Sequence, residues 1–189
     1  RDTGVAVADG RLTARVGAYT PEIVRVTCFA NGTPPPEPSA AVIAAPKGRL
    51  PVRVTRTATT ITLGTAALRV QIQRRPLRLS FRDRAGRLLL AERPAGGMGL
   101  RGPEKRLHFV IQDGDHYFGF GQKGISVDRR GHAFDVFNRH MGGYSKPWAH
   151  QQINIPFFHS PRGYALFIDN TWPARFDMGE SDRRCWSFT

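Results

Sequence analysis

The stretch from Phe137 to Gln152 holds the densest set of side chains able to do chemistry: Asn138, Arg139, His140, Tyr144, Lys146, Trp148, His150 and Gln151. Gly142, Gly143 and Pro147 interrupt any regular element there. A polar and aromatic loop of this kind suits a hydroxylated ligand, because an indole can lie on the apolar face of a ring while amide and imidazole groups grip hydroxyls. Asn138 can donate and accept, His150 can do either near neutral pH, and Arg139 suits an acidic or highly hydroxylated group. An equally physical reading is a loop whose aromatic side chains pin it to a sheet.

Other chemistries find less support. None of the six histidines, His108, His116, His132, His140, His150 and His159, pairs at a zinc-binding spacing. Ser145 and Ser160 lack the strand–serine–helix setting of a nucleophile elbow. Phe118-Gly119-Phe120-Gly121-Gln122 has only part of a dinucleotide fingerprint, with no third glycine and no helix after it. Asp113 and Asp115 read as a turn rather than as an acid/base pair.

The elements that must carry these residues read as strands. Leu12, Ala14 and Val16 alternate with Thr13 and Arg15, and the same period of two recurs at 23–29, 52–55, 68–73, 77–82 and 107–112. This pattern belongs to sheets that are dry on one face and wet on the other. Asp83 to Gly86 predicts a turn into the run Leu88 to Leu90, with Gly86 at a positive backbone angle. Asn31 to Pro38 holds four prolines and predicts a loop, as does the glycine-rich stretch Ala95 to Gly102. Further strands are expected at Phe134–Phe137, Ile153–Phe158, Tyr164–Ile168 and Ala174–Phe176, with the last at Trp186 to Phe188. No amphipathic helical stripe of ten residues is present, so the fold class is all-β, a two-sheet β-sandwich.

The 189 residues suit one sizeable domain. Net charge is +13, and it is uneven: residues 1–106 carry 19 basic and 7 acidic side chains, a net +12, whereas 107–189 carry 9 and 8, a net +1. With 24 Arg against 4 Lys, phosphate recognition is one reading of this excess. No recognition helix, finger spacing or stacking strip accompanies it, so no specific nucleic-acid partner is expected. No apolar run reaches membrane-spanning length, and no membrane partner is expected. No signal peptide is visible, which says little about export because Arg1 is no native start; cytoplasm and periplasm both stay open. Cys28 and Cys185 could form one bridge at most.

An ordered set of motifs resembles the retaining alpha-glucosidases and alpha-xylosidases of glycoside hydrolase family thirty-one. Phe118-Gly119-Phe120-Gly121-Gln122 is similar to the family's Gly-Leu-Gly-Glu stretch, and Asp128-Arg129-Arg130-Gly131 to the turn that follows it. Phe137-Asn138 stands where the family has Trp-Asn. Ile155-Pro156-Phe157-Phe158, Ser160, Arg162-Gly163-Tyr164 and Phe167-Ile168-Asp169-Asn170 match the next run, and Phe176-Asp177-Met178-Gly179 the strand after it. Leu79, Phe81, Asp83 and Gly86 also fit, so that residues from about 66 to 189 carry the resemblance. Gln122 replaces a family Glu and Phe137 a Trp, and Arg139 and His140 occupy the region where an Asp is usual.

The resemblance implies a galactose-mutarotase-like sandwich that spans 1–189 as one domain and precedes a (β/α)8 barrel of the same polypeptide. The barrel would carry both catalytic aspartates, a nucleophile and an acid/base. No catalytic residue is therefore assigned to this chain, which is expected to be inactive alone although the whole protein would be an O-glycosyl hydrolase, a reaction class for which no metal or organic cofactor is expected. The expected ligand is an alpha-linked oligosaccharide or glycoside, and the loop residues expected to wall its pocket are Asn138, Arg139, His140, Trp148 and His150. Two alternatives stand beside this reading. One is a stand-alone carbohydrate-binding or structural module. The other is a mutarotase-like epimerase, which needs a histidine and a carboxylate in partnership; histidines are available, but no partner is evident in the sequence.

Overall fold

The computed structural model describes residues 4–34, 39–44, 50–102, 104–138 and 153–189. Sixteen strands occur among them and no helix. They are β1 Gly4–Asp9, β2 Leu12–Ala18, β3 Val24–Ala30, β4 Arg53–Arg56, β5 Thr60–Gly64, β6 Leu68–Arg74, β7 Leu77–Asp83 and β8 Leu88–Ala91. After them come β9 Gly99–Arg101, β10 Glu104–Val110, β11 Phe118–Gly121, β12 Ala133–Val136, β13 Asn154–Ser160, β14 Tyr164–Phe167, β15 Ala174–Asp177 and β16 Cys185–Phe188. The period-two segments fall on strands, as their patterning dictates. The stretch Ala95 to Gly102 is irregular at 95–98, as expected of its glycines, but it buries Met98 and includes the short strand β9. Pro35 to Pro38 of the proline run lie outside the described residues.

The chain forms two compact units, Arg1–Pro103 and Glu104–Thr189. In the first, β1-β2-β3 is one antiparallel sheet and β4-β5-β6-β7-β8 another. β1 packs against β6 and β7, and the carboxylate of Asp9 accepts the backbone N–H of Leu77 at 2.8 Å. Alternate residues face inward: Val5, Val7, Ala14 and Val16 from one sheet, Leu63, Val70, Ile72 and Leu79 from the other. The outward positions of β6 are Arg69, Gln71 and Gln73, a face built for water. Four exposed arginines of this sheet, Arg53 and Arg56 on β4 and Arg69 and Arg74 on β6, carry part of the arginine excess. Gly86 turns the chain between β7 and β8 at φ +86°, as its position between two strands requires.

Glu92 is a polar residue inside this apolar unit, 5% exposed. Its Oε2 accepts the backbone N–H of Leu79 at 3.1 Å, while its Oε1 has no hydrogen-bond partner among the described residues. Burial pushes its carboxyl from the ordinary 4.5 up to about 7; the backbone amides of Leu79 and Met98 and the charge of Arg78 only partly oppose this.

In the second unit, β12, β15, β16 and β10 neighbour one another in that order, and β11-β13-β14 form a second antiparallel sheet. Its core is aromatic. Phe120 stacks on Phe158 with ring centroids 5.0 Å apart and meets Phe134 and Phe176 edge-on, each at 4.8 Å. Trp186 stacks on Phe109 at 4.5 Å and stands edge-on to Phe158. Phe120 reaches this cluster because the pairing of β11 with β13 shifts register between Gly119 and Gly121. All three residues there have positive φ: +133° at Gly119, +67° at Phe120 and +76° at Gly121. A Cβ on Gly119 would stand 2.6 Å from the carbonyl oxygen of Phe157, and one on Gly121 2.5 Å from that of Ile153. The glycines that mimic part of a dinucleotide motif therefore serve close backbone approach at a bulge.

Two outcomes follow. Gly121→Ala meets backbone oxygen rather than a movable side chain, so it is expected to lower stability by at least about 2 kcal/mol, read by urea denaturation; Gly131→Ala, at a positive φ of +81° but with open space around it, is the milder control. The raised carboxyl of Glu92 makes the folded state hold a proton that the unfolded chain has released. Its effect on stability is thus absent below about pH 4.5, grows through the interval to about pH 7, and amounts to a loss of about 3 kcal/mol above it. Glu92→Gln is expected to flatten that part of the stability–pH profile; an unchanged slope would show that Glu92 is not its source.

Candidate functional site

The root of the loop singled out in the sequence is built by three strands. β12 ends at Val136, Phe137 and Asn138 follow, and β13 begins at Asn154. The exposed Asn138 reaches across to β13: its Oδ1 accepts the backbone N–H of Asn154 at 2.7 Å and the Nδ2 of Asn154 at 3.2 Å. The same Nδ2 donates to the carbonyl of Phe137 at 3.0 Å. Lys123, just past β11, completes the arrangement from below. Its Nζ donates to Oδ1 of Asn154 and, at 3.3 Å, to the carbonyl of Asp135. The chain on either side of residues 139–152 is thereby cross-tied.

Lys123 is only 9% exposed, and its ammonium lies 5.1 Å from the centre of the Phe134 ring. Burial lowers its pKa from 10.5 to about 8, Arg129 pushes the same way, and Asp135 opposes them. Lys123 remains charged at pH 7, and the carbonyls and the ring face supply part of what water no longer does.

Asn138 is the predicted pocket residue that the structure places, and it places it in this clamp. Arg139, His140, Trp148 and His150 lie outside the described residues. Lys123 and Asn154 were missed in the sequence because a lone Lys and a lone Asn near strand ends carry no signal of burial.

A second polar cluster joins two turns. Asp115 is 2% exposed and pairs through Oδ1 with Nε of Arg162 at 2.6 Å. Its Oδ2 accepts the backbone N–H of Gln112 at 2.8 Å and the hydroxyl of Tyr117 at 3.1 Å. Arg162 also donates to the carbonyl of Asp113 at 3.0 Å. Burial first, then the neighbouring Tyr164 and Asp115, raise the Tyr117 phenol well above its ordinary range, so it is a hydrogen-bond donor at any working pH. The turn expected at Asp113 to Asp115 is present, with Asp115 as its buried anchor.

The structure also supplies a histidine–carboxylate pair that the sequence did not disclose: Nδ1 of His116 lies 2.6 Å from Oδ2 of Asp128. Oδ1 of Asp128 accepts the backbone N–H groups of Tyr117 and Arg130 at 3.1 and 3.0 Å. Burial works against ionising Asp128, but the His116 hydrogen bond and the two amides outweigh it and hold its pKa below the ordinary value. An acid held ionised by three donors clamps a turn and makes a poor proton-transfer base. Cys28 and Cys185 are both thiols, with no disulfide between them. Among the described residues no group of three His, Cys, Asp or Glu side chains is placed to hold a metal ion.

Comparison with known proteins agrees with these elements. The chain is 28% identical over 191 residues to alpha-glucosidase 2 of Bacillus thermoamyloliquefaciens, covering 98% of this chain and 23% of that protein. It is 26% identical over 150 residues to an isomaltosyltransferase of Sporosarcina globispora, covering 72% and 13%. It thus spans under a quarter of the length of these curated relatives. The fold superposes over the whole chain on a quarter of a family 31 dextranase from Flavobacterium johnsoniae, solved with isomaltotriose, with a TM-score of 0.87 at 24% identity. It also superposes on 19% of a family 31 alpha-xylosidase from Xanthomonas citri, over 92% of this chain, with a TM-score of 0.75 at 22% identity. A family model for the glycosyl hydrolase 31 N-terminal galactose mutarotase-like domain matches residues 13–177. With that match over most of its length and an all-strand, antiparallel fold, the chain belongs to the glycosyl hydrolase 31 N-terminal domain family, whose architecture is the galactose-mutarotase-like β-sandwich.

Proposed function

We propose that residues 1–189 act as one non-catalytic domain of a retaining alpha-glycosidase. The domain packs on a following (β/α)8 barrel, which carries the two catalytic carboxylates, and lends the loop opened by Asn138 to the wall of the carbohydrate pocket. The ligand is an alpha-linked oligosaccharide or glycoside. The named relatives favour that class: an alpha-glucosidase, an isomaltosyltransferase and a dextranase solved with isomaltotriose.

The observation that carries the loop's role is the clamp at its root. A seventeen-residue connection, 137–153, that served only to join β12 and β13 would need no such fixing. Here a buried ammonium, a buried amide and an exposed amide are spent on the two points where the loop leaves and rejoins the sheets. A binding loop benefits from that arrangement because fixed ends remove part of the ordering cost that a ligand must otherwise meet. With its Oδ1 engaged by Asn154, Asn138 serves mainly as the anchor where the loop begins. Contacts to sugar then fall to Arg139 and His140 as hydroxyl donors, Trp148 as a stacking face and His150 as donor or acceptor.

Trp148→Ala and His150→Ala in the full-length protein are expected to lower kcat/KM on the natural glycoside with Tm nearly unchanged. Asn154→Ala, which removes the clamp, is expected to lose stability by about 1–3 kcal/mol as well. Wild-type kcat/KM in both loop variants would remove the pocket assignment, and a fall in their Tm would make those residues packing anchors.

A further inference from the structure

The sheet β11-β13-β14 has an outer face that is not made for water. Along β13 the inward residues Asn154, Phe158 and Ser160 are buried, while Ile155, Phe157 and His159 alternate with them and are exposed, Ile155 by 47% and Phe157 by 41%. The pairing register sets Phe157 directly opposite Phe167 of β14, itself 40% exposed. It sets Phe118 of β11 opposite His159, and their rings lie 5.6 Å apart. Ile153, just before β13, adds a further exposed apolar side chain, at 54%. These are cross-strand neighbours in one patch, unlike the single exposed apolar residues scattered over most surfaces.

The charge pattern separates this face from an ordinary solvated one. The three strands read FGFG, NIPFFHS and YALF, without an Asp, Glu, Lys or Arg. In the first unit, by contrast, the outward positions of β6 are Arg69, Gln71 and Gln73. The chain can place charge on an outward sheet face and does not do so here. β14 lies at one side of its sheet with no charge to discourage further association, the kind of surface that natural proteins normally keep covered.

We infer that the outer face of β11-β13-β14, centred on Phe157 and Phe167, is the docking surface for the remainder of the same polypeptide. The relatives supply the reason for that occupant. Their chains run to four times the matched length and more, so each carries a large body of chain besides its counterpart of this domain. An uncharged aromatic and aliphatic face fits a permanent intramolecular interface, whose centre is depleted of charge, better than a transient one. The position fits as well, because β13 starts at Asn154, one end of the clamp that roots the proposed pocket loop. A body seated on β13 would lie beside that loop. This inference rests on the reading of the chain as part of a longer glycosidase.

The test uses the full-length protein with the photoreactive amino acid p-benzoylphenylalanine in place of Phe157, and in a second preparation in place of Gln71 on the water-facing side of β6. After irradiation, cross-linked peptides are mapped by mass spectrometry and the intact mass is measured. The expected result is an intramolecular cross-link from position 157 to residues beyond Thr189 in most of the cross-linked material, at least tenfold above that from position 71. Cross-links that join two copies, seen as a doubled mass on a denaturing gel, would overturn the inference in favour of self-association. Equal yields from 157 and 71, or no cross-link from 157 in a protein whose mass shows a long extension, would overturn the docking face while leaving the glycosidase reading intact. An intact mass near that of the 189 residues would overturn the reading itself and the docking face with it.

Discussion

The second unit depends on one local constraint, the close approach of β11 to β13 at Gly119-Phe120-Gly121. Two positions where a Cβ would strike a backbone oxygen bracket a phenylalanine held at φ +67°. Positive φ at an aromatic residue costs of the order of 1–3 kcal/mol. The offset is visible in the same place: Phe120 is fully buried and touches Phe134, Phe158 and Phe176, one ring from each of three other strands. The bulge turns this side chain into the core and directs the chain beyond it, so that Lys123 arrives beneath Asn154 and over Phe134. Without the bulge the register of β11 would differ by one residue, and the residues that follow would point to the opposite face.

The motifs that carry the family resemblance turn out to be largely structural in this domain. Arg162 is the partner of buried Asp115, and Gly163 turns the chain between β13 and β14 at φ +95°. Asp128 gathers an imidazole and two amides into one turn. Asp177 does the same after β15, accepting the backbone N–H groups of Gly179 and Glu180 at 3.0 and 2.8 Å. Each fixes a connection whose backbone groups have no ladder to join. This explains why such residues can mark a family at low overall identity: they specify how strands are joined, whereas the strand interiors need only be apolar on one side.

Legibility followed the same division. Strands with one clear apolar face, such as β2, β6 and β7, were plain from their period of two. β1, Gly-Val-Ala-Val-Ala-Asp, was not recognised, because its outward residues are alanine and the contrast between faces is weak. β9 lies in a glycine-rich stretch whose composition argues for a loop, and the buried Met98 beside it gives no periodic sign. In the candidate site Asn138 was visible as an unusual polar residue at a strand end. Its partners were not, since a buried Lys and a surface Lys are the same letter and the pairing of 123 with 154 is a matter of tertiary register. Nor did the sequence disclose His116 beside Asp128, twelve positions apart.

Lysine at position 123 also has a physical logic in a chain with 24 Arg and 4 Lys. The space between Asn154, the carbonyl of Asp135 and the ring of Phe134 takes a single charged nitrogen on a long apolar stem. A guanidinium would bring five donors in a rigid plane, more than these few acceptors could satisfy, and each donor left over inside the unit would carry its own desolvation cost. Arg129, the buried arginine nearby, shows what that group requires: it donates to the carbonyls of both Ile125 and Ser126 from one nitrogen, within a turn that encloses it. Burial lowers the Lys123 pKa, and the nearby charge of Arg129 pushes it the same way. That cost is sustained because each cation holds a different piece of the chain, Arg129 the turn after β11 and Lys123 the strands β12 and β13 on either side of residues 139–152.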